Sequence, residues 1–183
     1  MYTNDNLTIR PIIEADLPRL WELIYKEEQP EWKKWDAPYF PHKAKPYEEF
    51  LEGCVNWVGA DDIWTIVING KVCGTVSYYY EDEQKNWLEM GIIFYQSGNW
   101  GKGLGTRALK LWMNHLFRAI PLVRVGLTTW SGNERMIRVA QKLGMTMEAR
   151  IRKVRFYNNQ YYDSIRMGIL REEWEKALIK LSC

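Results

Sequence analysis

The stretch Trp100-Gly101-Lys102-Gly103-Leu104-Gly105-Thr106 decides the reading of this chain. It follows the apolar run Met90-Gly91-Ile92-Ile93-Phe94 and precedes a helical pattern from Thr106 to Phe117. The order is strand, glycine-rich turn, helix. Glycine lets a backbone approach a ligand closely, and a helix start offers free N–H groups and a partial positive charge. Together they make an anion site, most often for phosphate. A glycine turn also serves as a plain tight turn, so its weight depends on the rest of the chain.

The pattern outward from that turn is βααβββαβαββα. Leu7-Thr8-Ile9-Arg10 alternates and is stopped by Pro11, which predicts a first strand. Asp16–Tyr25 has helical spacing, with Pro18 tolerable in the first turn. Residues 27–45 carry Pro30, Pro38 and Pro41 without a clean period and predict a long, aromatic loop. Pro46 then opens a predicted helix to about Val58. Ile63–Ile68 and Lys71–Tyr79 are strands joined by Asn69-Gly70, a strong hairpin signal. Glu81–Asn86 is a polar loop and Trp87–Phe94 a fourth strand. After the glycine turn and its helix come a short strand at Val123–Thr128 and a helix at Asn133–Leu143 capped by Gly144. A hairpin through Asn158-Asn159, with strands Met145–Phe156 and Tyr161–Leu170, and a helix at Glu172–Leu181 complete the chain. Antiparallel strands preceding βα units predict a mixed α/β (α+β) class around one central sheet. The absence of a linker or repeat predicts one domain over residues 1–183.

Composition narrows the function classes. The formal net charge of +2 is too small to argue for nucleic acid. Cys54, Cys73 and Cys183 have neither metal-ligand nor disulfide-framework spacing, so no metal is expected and the thiols fit a reducing compartment. The polar start Met1–Asn6 does not resemble a signal peptide, and no apolar run approaches a membrane span. A cytoplasmic protein is the expectation. Ten Trp and eleven Tyr are unusual, and many lie in Trp32–Tyr47 and Phe156–Tyr162. They read as core packing or as a ring-lined pocket or interface.

The order of elements, with Gly101–Thr106 after the fourth strand and Asn133-Glu134-Arg135-Met136-Ile137-Arg138-Val139-Ala140-Gln141-Lys142-Leu143-Gly144-Met145 further on, resembles the GCN5-related N-acetyltransferases (GNAT). Within them it is similar to the ribosomal-protein N-terminal and spermidine acetyltransferases. Leu7–Pro11 with Asp16 fits the family's opening, and Tyr161–Met167 its closing strand. The resemblance covers nearly the whole chain. It implies a mostly antiparallel mixed sheet flanked by helices, with splayed fourth and fifth strands. It also implies transfer of acetyl from acetyl-CoA to a primary amine of a small molecule or protein N-terminus.

The family's cofactor signature runs here as Trp100-x-x-Gly103-x-Gly105, with Trp at a position usually Gln or Arg. The resemblance implies that main-chain N–H groups of Gly101, Lys102, Gly103, Leu104, Gly105 and Thr106 hold the CoA pyrophosphate. Lys102 adds charge or is a solvated surface lysine. Ile93, Phe94 and Tyr95 are expected against the pantetheine arm, which pairs like an added strand. Asn133 is expected to bond the pantetheine, to cap its helix, or both.

Glu89 stands eleven residues before Trp100, where a branch of the family carries its catalytic base. It is the candidate base, with a structural strand glutamate as the alternative. The family's usual acid positions hold Met136 and Ala140, neither of which donates a proton. Tyr157, Tyr161 and Tyr162 are the candidate acids, water and unassisted thiolate departure being alternatives. Trp32, Trp35, Asp36 and Tyr39 are candidates for the acceptor site, since ring faces with a carboxylate suit an ammonium. A homodimer is compatible with the resemblance. So is a CoA-binding sensor that has lost catalysis, or another acyl donor.

Overall fold

The computed structural model describes residues 1–180, with side chains to residue 178. Leu181, the expected end of the last helix, and Cys183 lie outside the described residues. Within them the order is β1 (Tyr2–Asn4), β2 (Leu7–Pro11), α1 (Leu17–Ile24), α2 (Tyr47–Gly53), β3 (Ile63–Ile68), β4 (Lys71–Tyr80) and β5 (Leu88–Phe94). Then follow α3 (Leu104–Ala119), β6 (Arg124–Trp130), α4 (Glu134–Lys142), β7 (Thr146–Tyr157), β8 (Gln160–Leu170) and α5 (Arg171–Lys180). The strands form a mixed sheet in the order β1-β2-β3-β4-β5-β6-β8-β7. Pairs β1–β2, β2–β3, β3–β4, β6–β8 and β7–β8 are antiparallel and β5–β6 is parallel. This is the expected mixed, mostly antiparallel class. The chain divides into two compact units, Met1–Ser77 with Ile92–Leu111, and Tyr78–Gly91 with Trp112 onward.

In the first unit, β1 is a strand that the sequence pattern does not reveal. It is short, exposed and polar, and it forms because the turn at Asp5 (φ 51°) folds it back in register Tyr2↔Ile9. The β3–β4 hairpin turns at Asn69 (φ 49°) and Gly70 (φ 77°), as the dipeptide demands. Asp16 is buried and takes both guanidinium branches of Arg10, at 2.6 and 2.8 Å, and the N–H of Ile13 at 3.0 Å. That pair ties β2 to the start of α1.

The core of this unit gathers Ile12, Leu20, Ile24, Trp32, Phe50, Cys54, Val72 and Tyr95. Residues 27–45 contain a short 3₁₀ turn, Glu31–Lys34, within the expected loop. It drives Trp32 inward, where its indole N–H donates to the carbonyl of Leu23 at 3.1 Å. Pro46 precedes α2 rather than opening it, and α2 stops at Gly53, short of Val58. Val58 instead makes a parallel bridge to Ile12, which competes with helix extension.

In the second unit, β8 lies between β6 and β7. The β7–β8 turn is Asn158-Asn159, at φ 49° and 58°. A bulge at Lys153 (φ 56°) shifts the register between Ile151 and Arg155. Asp163 stabilises it, accepting the Lys153 N–H at 2.9 Å and Arg150 Nε at 2.5 Å. Arg171 collects the carbonyls of Phe117, in the last turn of α3, and of Ile120 and Leu122 just beyond it, where carbonyls lack helical partners. Trp174 of α5 donates to Asn114 of α3 at 2.9 Å.

Candidate active site

The glycine turn is built from a single-turn 3₁₀ segment, Ser97–Asn99, closed by the Trp100 N–H on the Ser97 carbonyl at 2.9 Å. The Trp100 indole N–H donates to the Phe94 carbonyl at 2.9 Å, clamping the turn to the end of β5. Trp at this position therefore fixes the turn. Gly101 and Gly103 have φ of 74° and 75°, where L side chains are strained. A Cβ built on either glycine would meet open space, so backbone conformation alone requires glycine there.

Leu104 is buried and anchors the first turn of α3. Arg107 N–H bonds the Gly103 carbonyl at 3.2 Å, so the amides of Leu104, Gly105 and Thr106 precede the helix's own ladder. Lys102 is exposed on the turn. The Arg107 side chain is held by Asn4 Oδ1 at 2.7 Å and by Asp5 at 3.2 Å. Its charge thus goes to the β1–β2 turn.

At the end of β5, Gly74 of β4 sits so close to the Ile93 carbonyl oxygen that a Cβ would overlap it. Tyr95 N–H bonds the Cys73 carbonyl at 3.1 Å. Of the main-chain groups expected to pair with an extended ligand, the Phe94 carbonyl and the Tyr95 N–H therefore already have partners. The Tyr95 side chain points into the core, its hydroxyl 2.8 Å from Thr75 Oγ1 and its ring edge-on to Trp32 at 5.4 Å. Burial holds its phenol far above the usual tyrosine range, with the negative charge of Asp36 adding to the shift.

Glu89 is fully buried on β5, beside the parallel register Leu88↔Val125 and Glu89↔Gly126. Its oxygens are shared among four side chains. Oε1 accepts Trp87 Nε1 at 2.9 Å and lies 3.4 Å from Arg124 and 3.7 Å from Arg166. Oε2 accepts the Thr128 hydroxyl at 3.0 Å. Arg124 also pairs with Glu148 (Nε to Oε1 3.0 Å), and Arg166 with Glu81 at 2.5 Å. Both guanidiniums lie over the Trp87 ring, at 5.4 and 5.7 Å. A Cβ at Gly126 would overlap Glu89 and Arg124, so that glycine makes room for the pair.

None of Trp87, Arg124, Thr128, Glu148 and Arg166 was singled out as a site residue in the sequence. Only Arg124 and Arg166 leave a faint signal, as charged residues in largely apolar strand patterns.

Asn133 caps α4 by accepting the Met136 N–H on Oδ1 at 3.1 Å. Ala140 is buried. Of the candidate acids, Tyr162 packs edge-on to Trp130 at 4.8 Å and donates to Gln160 at 3.2 Å. Tyr157 contacts the same indole at 6.1 Å, whereas Tyr161 is exposed against Phe156. The structure thus gathers Tyr157 and Tyr162 around Trp130.

Among the acceptor candidates, Trp32 proves to be a core residue, because its indole finds a partner only inward. Trp35 is partly exposed, edge-on to Trp100 at 6.4 Å. Asp36 pairs with Lys33 at 3.9 Å, and burial raises its carboxyl above the usual range. Tyr39 packs on Phe40 at 5.0 Å.

Comparison with known proteins bears on this geometry. The family model described as an acetyltransferase (GNAT) domain matches residues 6–146. YdaF of Bacillus subtilis, named as a proposed ribosomal N-acetyltransferase, is 26% identical over 94% of this chain and 95% of its own. The spermidine N(1)-acetyltransferase of Escherichia coli is 38% identical over 74 residues, 40% of each chain. Among solved structures, the Vibrio cholerae spermidine N-acetyltransferase in complex with CoA and spermine superposes with a TM-score of 0.76. That match covers 94% of this chain and 99% of the other at 18% identity, a likeness of fold. Among the described residues, no helix is long and apolar enough to cross a membrane. With the family model spanning most of the sequence and the curated relatives named for the same reaction, the chain belongs to the GNAT acetyltransferase family and is an N-acetyltransferase.

Proposed function

We propose that this chain transfers acetyl from acetyl-CoA directly to the primary amine of a small molecule or a protein N-terminus, as one acetyltransferase domain over residues 1–183. The observation that carries the reading is the turn Gly101–Gly103. Two left-handed glycines, open space on their Cβ sides and unladdered amides at the start of α3 fit a pyrophosphate. Gly101 to Thr106 would hold that group and Lys102 would add charge. Ile93, Phe94 and Tyr95 would border the extended arm with the main-chain groups they have left, and Asn133 would keep its capping bond while its amide group faces the cofactor. The bound cofactor supplies an activated acyl group, and no covalent enzyme intermediate is needed.

The acceptor is a cationic amine in this reading. Trp35, Asp36 and Tyr39 offer ring surface and a carboxylate, which suit an ammonium. Glu89 serves as the proton acceptor, and a tyrosine among Tyr157, Tyr161 and Tyr162 is the candidate donor to the thiolate. Unpaired Cys54 and Cys73 thiols fit a cytoplasmic setting. Exposed Ile151, Val154, Phe156 and Tyr161 on the last hairpin suit a second copy of the chain.

Calorimetric titration with acetyl-CoA, against free CoA and ATP, tests the base of this reading. Stoichiometric acetyl-CoA binding with far weaker ATP binding is expected, and an amine panel with spermidine, an aminoglycoside and an N-terminal peptide then ranks acceptors. No binding at millimolar acetyl-CoA overturns it.

A further inference from the structure

The 3₁₀ turn Glu31–Lys34 sets two indoles side by side. The Trp35 N–H closes that turn on the Trp32 carbonyl at 3.0 Å. Side chains three apart on a 3₁₀ turn eclipse, so Trp32 and Trp35 leave from the same side. Trp32 meets Tyr95 edge-on at 5.4 Å, and Trp35 meets Trp100 edge-on at 6.4 Å. Tyr95 and Trp100 are the two ends of the connector between β5 and the glycine turn.

Each end of that connector is also tied to a strand. Tyr95 bonds β4 through its N–H on the Cys73 carbonyl at 3.1 Å and its hydroxyl 2.8 Å from Thr75 Oγ1. Trp100 bonds β5 through its indole N–H on the Phe94 carbonyl at 2.9 Å. The two ring contacts differ in burial. Trp32 and Tyr95 are 6% and 7% exposed, a fixed core contact, whereas Trp35 and Trp100 are only half-buried. The half-buried contact stands next to Gly101 on one side and next to Asp36 on the other.

The chain beyond Trp35 does not hold its shape by local preference. Ala37 has φ 42°, an uncommon region for a residue with a Cβ, and such conformations persist where the surroundings impose them. Lys33 Nζ bonds the Asp36 carbonyl at 2.9 Å, and the Phe40 N–H bonds the Ala37 carbonyl at 3.0 Å. The packing of Trp35 on Trp100 adds a constraint at the start of this segment.

We propose that Trp35 and Trp100 are positioning residues that couple the two halves of the site, so that CoA on the glycine turn orders residues 33–40. The inference rests on the acetyltransferase reading above. A pyrophosphate held by the amides of Gly101 to Thr106 restrains the turn. Trp100, covalently next to Gly101 and clamped to β5, then offers Trp35 a fixed face. Asp36 and Tyr39, the acceptor groups, follow Trp35 in the chain. Loop ordering that accompanies cofactor binding no longer opposes the arriving amine, which is positive coupling between the two ligands. Such coupling is reciprocal, so the amine strengthens CoA binding by the same factor.

Amide hydrogen exchange of residues 33–40 tests this in the full-length protein, with and without saturating free CoA, which carries no acetyl group to transfer. CoA is expected to slow exchange there about 5- to 10-fold, at the lower end of typical coupling between sites. Trp35→Ala should bring the ratio close to one while CoA still binds. Trp35→Phe, which keeps a ring towards Trp100, should retain part of the slowing and provides a second variant if Trp35→Ala loses its fold. A merely structural role for Trp35 would speed exchange equally with and without CoA and leave the ratio unchanged. That result in Trp35→Ala, or no slowing in wild-type protein that binds CoA, overturns the coupling. Calorimetry with CoA on the same preparations separates the two failures. Absent CoA binding to the wild type sinks the acetyltransferase reading and the coupling with it, whereas binding with an unresponsive loop sinks the coupling alone.

Discussion

At Gly101–Thr106 an exposed glycine turn runs into the start of a helix, whereas around Glu89 side chains from several strands surround a charge. The first region asks only for backbone conformation: two glycines at positive φ and a helix that begins on time. The second asks for register. Glu89 on β5, Arg124 and Thr128 on β6, Glu148 on β7 and Arg166 on β8 meet only because the ladder places them side by side. A backbone site of this kind tolerates changes of side chain outside its glycines. A side-chain cluster tolerates almost none, since each member satisfies a neighbour. The two regions should therefore fail in different ways when mutated, one losing ligand and the other losing fold.

The largest effect should come from Glu89→Ala. It removes the shared acceptor of Trp87 Nε1 and the Thr128 hydroxyl and leaves Arg124 and Arg166 with one carboxylate each, a loss of about 3 kcal/mol. For a chain of this size that corresponds to a fall in Tm of roughly 6–12 °C. Acetyl-CoA affinity should hold, as read by calorimetry below the new Tm. Equal loss of affinity and stability would erase the distinction between the regions.

Gly103→Val is the converse experiment. A β-branched residue at φ 75° is strained, and its side chain would occupy the open space beside the turn. Acetyl-CoA affinity should fall about 10- to 100-fold, which is roughly 1.4–2.7 kcal/mol. Unchanged affinity would remove the turn from the cofactor site.

Asn133→Ala sharpens the comparison, because this residue has a visible structural task and a proposed ligand task. Losing the cap should cost about 1 kcal/mol in chemical denaturation. An added loss of acetyl-CoA affinity would show that both tasks are real, and an unchanged affinity would leave only the cap. Lys102→Ala should have the smallest effect. An exposed charge at a helix start contributes less than about 1 kcal/mol. Its few-fold loss of acetyl-CoA affinity should shrink as salt is raised.

The candidate site was legible in the sequence in proportion to how local its demands are. The glycine turn, the Asn69-Gly70 and Asn158-Asn159 hairpins and the Asn133 cap each need particular residues within a few positions, so the residues betray them. Glu89 was legible only through its distance from Trp100 and a family resemblance, and its surroundings not at all. Arg124, Thr128 and Arg166 lie 35 to 77 positions away. Trp32 shows the opposite limit. Its neighbours made it look like part of a ring-lined pocket, yet a 3₁₀ turn and the carbonyl of Leu23 turn it into the core.

The sequence by itself determined the order of strands and helices, the sharp turns and the family, because backbone conformation is set by adjacent residues. It missed β1, whose pairing with β2 depends on a turn that polar residues hide. It overran α2, because the bridge from Val58 to Ile12 forms between segments far apart in the chain. Only the tertiary structure decided that Glu89 is buried and how its charge is shared. Those are matters of register and burial, and no stretch of neighbouring residues encodes them.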